Sequence, residues 1–297
     1  MSIRRLVALA SACACGVAAA GVPPVIGGFN STRGGAMSLA GGSDVMLLSS
    51  SVQIAFPGAT VTGTGTLTDS YLAGVDVVFL ASGKKHTGAS NAISALSASE
   101  RTSLLNFVKS GKGAIIAIDN SDFEAANESI LDTFGLDASG KLGASESLAL
   151  GDTTESSVVN GRFGAIASLP TFWPGVLDNA SNDRVVGRFT SGATGLAVIP
   201  RDAISVGSGP VVIITDMSTL TNTYLAGDAM ALVLNSIVDM AGYCASDFNL
   251  DGFVNGDDYD SFASAFDAGA FEADVNRDGF VNGDDYDTFA SAFDAGC

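Results

Sequence analysis

Asp247 to Gly269 reads DFNLDGFVNGDDYDSFASAFDAG, and Asp274 to Gly296 reads DVNRDGFVNGDDYDTFASAFDAG. The two stretches differ at three of 23 positions and are offset by 27 residues. A repeat this sharp is one structural unit used twice. Each copy opens on the spacing of a calcium loop, which places oxygen ligands at positions 1, 3, 5, 7, 9 and 12 and glycine at 6. The first copy supplies Asp247, Asn249, Asp251, the backbone carbonyl of Phe253, Asn255 and Asp258, with Gly252 at the turn. The second supplies Asp274, Asn276, Asp278, the carbonyl of Phe280, Asn282 and Asp285, with Gly279. Calcium is a hard cation, and alternate side chains of a tight loop converge on one point. The pattern therefore predicts two bound calcium ions.

After each loop the spacing turns helical. Tyr259, Phe262, Ala263 and Phe266 fall at i, i+3, i+4 and i+7, and Tyr286, Phe289, Ala290 and Phe293 repeat them. Gly269 and Gly296 stand where helices are capped. Neither stripe can be buried alone, so the two helices are expected to pack on each other. No helix is expected before either loop: Cys244, Ala245 and Ser246 run straight into the first, and four residues separate Gly269 from Asp274. Position 12 is Asp in both copies, where helix–loop–helix sites carry Glu.

Paired loop-plus-helix units with Asp at position 12, covering residues 244–297, resemble dockerins, modules that plug secreted proteins into cohesin domains. The resemblance implies two calcium ions and a cohesin-like protein partner recognised through the helices after the loops. It places partner contacts around Asp257 and Ser261 in the first copy and Asp284 and Thr288 in the second. Loop positions 10 and 11, a Ser-Thr pair in many dockerins, are Gly256-Asp257 and Gly283-Asp284 here.

Upstream of the repeat, residues 1–20 read as an export signal. Arg4 and Arg5 precede an apolar, small-residue run ending in Ala18-Ala19-Ala20, a cleavage pattern that predicts a secreted or cell-surface protein. The run is too short for a membrane span. Removal of the signal leaves two cysteines, Cys244 and Cys297, which bracket the repeat. In an exported chain such a pair implies a disulfide, with two free thiols as the alternative. The net charge is −18, of which residues 244–297 hold −12. No basic stripe is present to neutralise phosphates, which argues against nucleic acid as a partner.

Between these ends, residues 21–43 read as a glycine-rich leader and 44–243 as one domain. Its sequence alternates apolar runs with helical patterns. Strands are expected at Val45–Ser49, Val75–Ala81, Ala114–Ile118 and Pro210–Thr215. Helices are expected at Leu96–Ser110, with Ser97 and Glu100 as a capping box, at Phe123–Phe134 and at Asn222–Met240. Short strands, including Arg184–Phe189 and Gly195–Ile199, are expected between Leu142 and Ile204. TVTGTGTLT, from Thr60 to Thr68, reads as a strand or flexible edge. This predicts an α/β domain: an open, mostly parallel sheet flanked by helices on both faces, followed by the small all-α module.

The runs VDVVFLASG, KGAIIAIDN and GPVVIITD, with the capped helix between the first two, resemble the class I glutamine-amidotransferase-like superfamily and imply a flavodoxin-like architecture. Active members place a cysteine nucleophile after a central strand, with His and Glu at a later strand end. The matching turns here are Ile118-Asp119-Asn120-Ser121 and Thr215-Asp216-Met217-Ser218. Neither carries those residues, so the domain is expected to be a non-catalytic binding domain. Asp119, Asp216 and the one histidine, His86, follow strand ends, where open sheets take ligands; capping and loop roles are the plainer readings. Trp173 is a sugar platform or a core residue. The whole then reads as an exported calcium-binding protein whose tail mediates attachment or assembly. The alternative is an extracellular hydrolase of polysaccharides or esters brought to its substrate by that tail.

Overall fold

The computed structural model describes residues 23–86, 89–144, 146–151, 157–182, 184–225, 227–243, 246–251, 253–276 and 280–295. The export signal, Cys244, Cys297, Gly252, Asp278, Gly279 and Gly296 lie outside the described residues.

The main run of the sheet comprises, in chain order, β1 (Val25–Phe29), β2 (Thr60–Thr64), β3 (Val77–Ala81), β4 (Gly113–Ala117), β5 (Ser147–Leu150), β6 (Ser168–Pro170), β7 (Val185–Phe189), β8 (Thr194–Ile199) and β9 (Val211–Ile214); two further short strands, Ala138–Ser139 and Val176–Leu177, pair with each other off this run, the second also with β8. The strands of the main run lie side by side in the order β2-β1-β3-β4-β9-β8-β7-β5-β6. Pairing is parallel from β2 through β9 and antiparallel from β9 through β6. The sheet is therefore mixed, with its parallel half built from the apolar runs legible in the sequence. Every residue of β3, β4 and β9 is buried. Such strands need cover on both faces.

Alternation along these strands divides two cores. Val77, Phe79, Ile115, Ala117, Val212 and Ile214 point to one face, which α1 (Met46–Ala55) and α4 (Gly227–Ala241) cover. Val78, Leu80, Ala114, Ile116, Val211 and Ile213 point to the other, covered by α2 (Ala98–Lys109) and α3 (Glu124–Leu131). The expected capping box starts α2: Ser97 Oγ accepts the Glu100 amide, and the Glu100 carboxylate accepts the Ser97 amide. No described helix is long and apolar enough to cross a membrane.

Three expectations are corrected. Residues 21–43 are not simply a leader, because Val25–Phe29 is a sheet strand between β2 and β3. Its glycines are packing residues: a Cβ on Gly28 would collide with the Phe79 carbonyl, and one on Gly27 with the Val75 side chain. Val45–Ser49 is not a strand but the start of α1. Leu48, Val52 and Phe56 are buried at intervals of four, while Met46, Leu47 and Ile54 face outward, so the period is helical. The last helix of the domain starts at Gly227 rather than Asn222. The Asn222 side chain instead bridges the Ser43 carbonyl (2.7 Å) and the Leu47 amide (2.9 Å).

The chain ends in α5 (Gly256–Asp267) and α6 (Gly283–Ala295), each directly after an acidic loop. Phe262 and Phe289, 27 residues apart, stack at 4.0 Å and 8° in the helix interface. Tyr259 and Tyr286, equally spaced, share a 2.8 Å hydrogen bond. Tyr259–Phe293 and Phe266–Tyr286, at 6.2 and 6.1 Å, are matching cross-contacts. Residues meeting their own equivalents mark a pseudo-twofold axis between the copies. Gly269 ends α5 with φ +62°, the conformation expected of a glycine cap.

Candidate metal centre

Local hydrogen bonds fold the first loop. Asn249 Oδ1 accepts the Asp251 amide at 2.8 Å, and Asp251 Oδ1 accepts the Phe253 amide at 2.9 Å. Asp258, one turn into α5, is wholly buried, and its two oxygens accept the amides of Asn249 (3.0 Å) and Asn255 (2.9 Å). The second loop repeats this: Asp285, also buried, accepts Asn276 (3.1 Å) and Asn282 (2.9 Å). In the first loop, carboxylate oxygens of Asp247, Asp251 and Asp258 lie within 4.8 Å of one another. Three carboxylates this close repel unless a cation joins them. An all-oxygen donor set suits a hard ion, so the residues present fit calcium.

The remaining expected ligands divide by role. Phe253 and Phe280, whose backbone carbonyls are the expected seventh-position donors, are 65% and 71% exposed. Asn255 Oδ1 and Asn282 Oδ1 cap the helices, accepting the Asp257 (2.8 Å) and Asp284 (2.9 Å) amides. A ninth-position residue that reaches its ion through water is compatible with that capping. Asp274 is buried. Asp278 lies outside the described residues, so the second ligand set is visible only in part.

The expected partner-facing residues also match between copies. Asp257 and Asp284 are exposed, and Ser261 Oγ and Thr288 Oγ1 each donate to the carbonyl four residues earlier at 2.7 Å. The proposed Cys244–Cys297 pair is outside the described residues. Nearby, Ser246 Oγ donates to the Ala292 carbonyl at 3.2 Å, tying the start of the tail to its last helix.

Sequence reasoning missed the wall against which the first loop rests. Asn160–Gly161 and Gly164–Ala165 form a hairpin with Arg162 and Phe163 at its tip. Asn235 of α4 fastens it: its Oδ1 accepts the Phe163 amide (2.8 Å) and its Nδ2 donates to the Gly164 carbonyl (3.1 Å). Arg162 then donates to the Asp247 carbonyl at 3.2 Å and lies 4.4 Å from the centre of the Phe248 ring. Burial pulls its guanidinium down to about 10, against the attraction of Asp247, Asp258 and Glu272. Leu250, with φ +60°, is buried in the same core cluster as Val158, Val159, Ile166 and Met240. The Asn-Gly-Arg-Phe-Gly run signals a turn, but nothing local tells what its tip touches.

A second cluster sits beyond β4 and β9. Asp216 caps the turn after β9, accepting the Ser218 amide at 2.8 Å, and also accepts the Phe172 amide. Asp119 Oδ1 accepts the Asn120 amide and side chain, both at 2.7 Å, while its buried Oδ2 has no hydrogen-bond partner among the described residues. Burial, reinforced by the Asp216 charge, raises Asp119 to about 8; burial raises Asp216 to about 6. The chain around Trp173 covers both: the Trp173 carbonyl accepts Asn120 Nδ2 (2.7 Å), and the Gly175 amide donates to the Thr215 carbonyl (2.9 Å). Trp173 has φ +59° and its indole is 41% exposed. His86 pairs with Asp44 at 3.1 Å and is near enough to Asp216 to act on its carboxylate electrostatically.

No family model matches the chain, and no curated protein matches it. Solved structures do. The mmIFT52 N-terminal domain superposes with a TM-score of 0.50 at 12% identity, over 72% of this chain and 95% of that one. A ThuA-like protein from Bacteroides uniformis gives 0.43 at 10% identity, over 72% and 88%. A β-galactosidase from the haloarchaeon Halorubrum lacusprofundi gives 0.43 at 13% identity, over 74% of this chain and 30% of that one. At 12% identity the first of these likenesses speaks to fold alone.

Proposed function

We propose that this is an exported protein whose C-terminal, dockerin-like module binds two calcium ions and attaches its α/β domain to a protein partner outside the cell. The observation that carries the reading is the convergence of Asp247, Asp251 and Asp258 within 4.8 Å, with Asp285 held by the same amide pattern as Asp258 in the second copy. Bound calcium would be held by the Asp247, Asn249, Asp251 and Asp258 side chains in the first loop. In the second it would be held by Asp274, Asn276, Asp278 and Asp285. The ion supplies the charge that lets these carboxylates stay together. The chain's own residues supply the rest: Asp258 and Asp285 tie loop to helix, and Phe262 and Phe289 lock the helices. A cohesin-like protein docking on Asp257, Ser261, Asp284 and Thr288 is the partner this module suits. The α/β domain acts as the cargo, a binding domain without catalysis. Isothermal titration of the full chain with calcium should give two sites, with Kd between about 10⁻⁷ and 10⁻⁴ M. Absence of calcium binding at millimolar concentrations would refute the reading.

A further inference from the structure

Two of the three positions at which the copies differ, Phe248 for Val275 and Leu250 for Arg277, are those where the first loop meets the α/β domain. We infer that the first copy has a job that the second does not share: its loop is a calcium-dependent latch onto the α/β domain, while the helix faces of both copies stay open to an outside partner. This rests on the calcium reading above and adds to it a coupling between one loop and one surface.

The geometry supplies the coupling. Leu250 lies at the fourth loop position, between Asn249 and Asp251, both expected ligands. Its backbone is left-handed, a conformation unfavourable for a residue with a Cβ. Closing the loop thus aims Leu250 into the α/β core. The Asp247 carbonyl that Arg162 grips belongs to the first ligand of the same loop. The receiving surface is rigid: Asn235 holds the hairpin from α4, and a Cβ on Gly161 would collide with the Ser157 carbonyl and the Asn235 side chain. Whatever favours the closed loop favours the latch, and by linkage the latch favours calcium in that loop. Phe248 and Val275 both pack in the tail's own core, but Phe248 also lies under the Arg162 guanidinium, and the residue at the fourth position of the second copy is Arg277, unsuited to an apolar socket.

The test uses the full chain with calcium chloride and reads amide hydrogen exchange at residues 162–164. Chelation should raise exchange there at least about fivefold, the low end of ordinary coupling. Asp258→Asn should do the same in saturating calcium, and Asp285→Asn should not. Equal effects of the two variants, or a hairpin indifferent to chelation while titration still shows bound calcium, would overturn the latch and leave the calcium reading standing. No calcium binding at all would overturn both. Should Asp258→Asn unfold the tail, Leu250→Arg keeps every ligand. It should weaken calcium at one site at least about fivefold and leave the other unchanged; two unchanged sites would overturn the inference.

Discussion

In the first loop Leu250 sits in the α/β core and Phe248 lies under Arg162. At the matching places of the second stand Arg277 and Val275, which like Phe248 packs in the tail's own core. Inside the copies the geometry is the same: equal aspartate–amide bonds, equal caps, and aromatic rings paired across a twofold axis. The repeated positions carry what both units need, closing a loop and burying a stripe. The unrepeated ones carry what the α/β domain asks of its neighbour.

The largest way to stress this comparison is to remove calcium. Saturation a hundredfold above Kd contributes about 2.7 kcal/mol per site, so chelation should cost the tail about 5 kcal/mol and the α/β sheet almost nothing. Two separate calorimetric transitions are expected, with only the tail transition shifting. A common shift of both would mean that the latch joins them into one cooperative unit. Next come the stacked rings. Phe262→Ala and Phe289→Ala each remove a wholly buried aromatic from the same interface, at about 3–5 kcal/mol. Because the rings are equivalent, denaturant unfolding should find costs within about 1 kcal/mol of each other. A larger gap would show the α/β contact reaching through Phe248, which touches both rings.

The acids of the two regions differ in their surroundings. Asp258 and Asp285 accept two backbone amides each. Asp119 has an oxygen without a hydrogen-bond partner among the described residues and is raised by burial, with Asp216 adding, from 3.8 to about 8. The folded state therefore holds a proton that the unfolded chain releases near pH 4. Its stabilising contribution is full below that point and is lost as pH rises towards 8. Asp119→Asn should flatten this decline and gain on the order of 3 kcal/mol at pH 8 relative to the parent, given about 1.4 kcal/mol per pKa unit and partial relaxation. An unchanged pH slope in thermal unfolding of the calcium-loaded protein would show that Asp119 is ionised in the fold.

The two helices of the tail were legible because their rules are local: stripes recur within eight residues, and a capping residue lies beside its helix. The parallel strands were legible as apolar runs, and α2 by its Ser97–Glu100 box. What failed was non-local. Gly27 and Gly28 look like a tether in composition, and only the approach of Phe79 and Val75 makes them a strand. Met46 and Leu47 made Val45–Ser49 read as sheet, although the residues that count for burial are four apart. Arg162 is 85 residues from the carbonyl it grips, a pairing that no window of sequence contains.

The smallest effect probes the axis itself. Tyr259 and Tyr286 share a single hydrogen bond at the exposed end of the helix pair. That bond, with electrostatic repulsion from Tyr259 adding to it, raises the Tyr286 phenol above its ordinary 10. Tyr259→Phe and Tyr286→Phe each remove one hydroxyl and break the same bond. Their effects on tail stability should be small and equal, and the double variant should cost no more than either alone. That non-additivity is the signature of partners in contact. Titration offers a sharper reading than stability. Phenolate absorbance of the parent should show a tyrosine ionising late, its stabilising proton lost only as pH climbs past that raised value. Tyr259→Phe should return the phenol of Tyr286 to the ordinary range. If the two single variants differ, or if their effects add, the hydroxyls do not meet across the axis and the copies are not related by a half-turn.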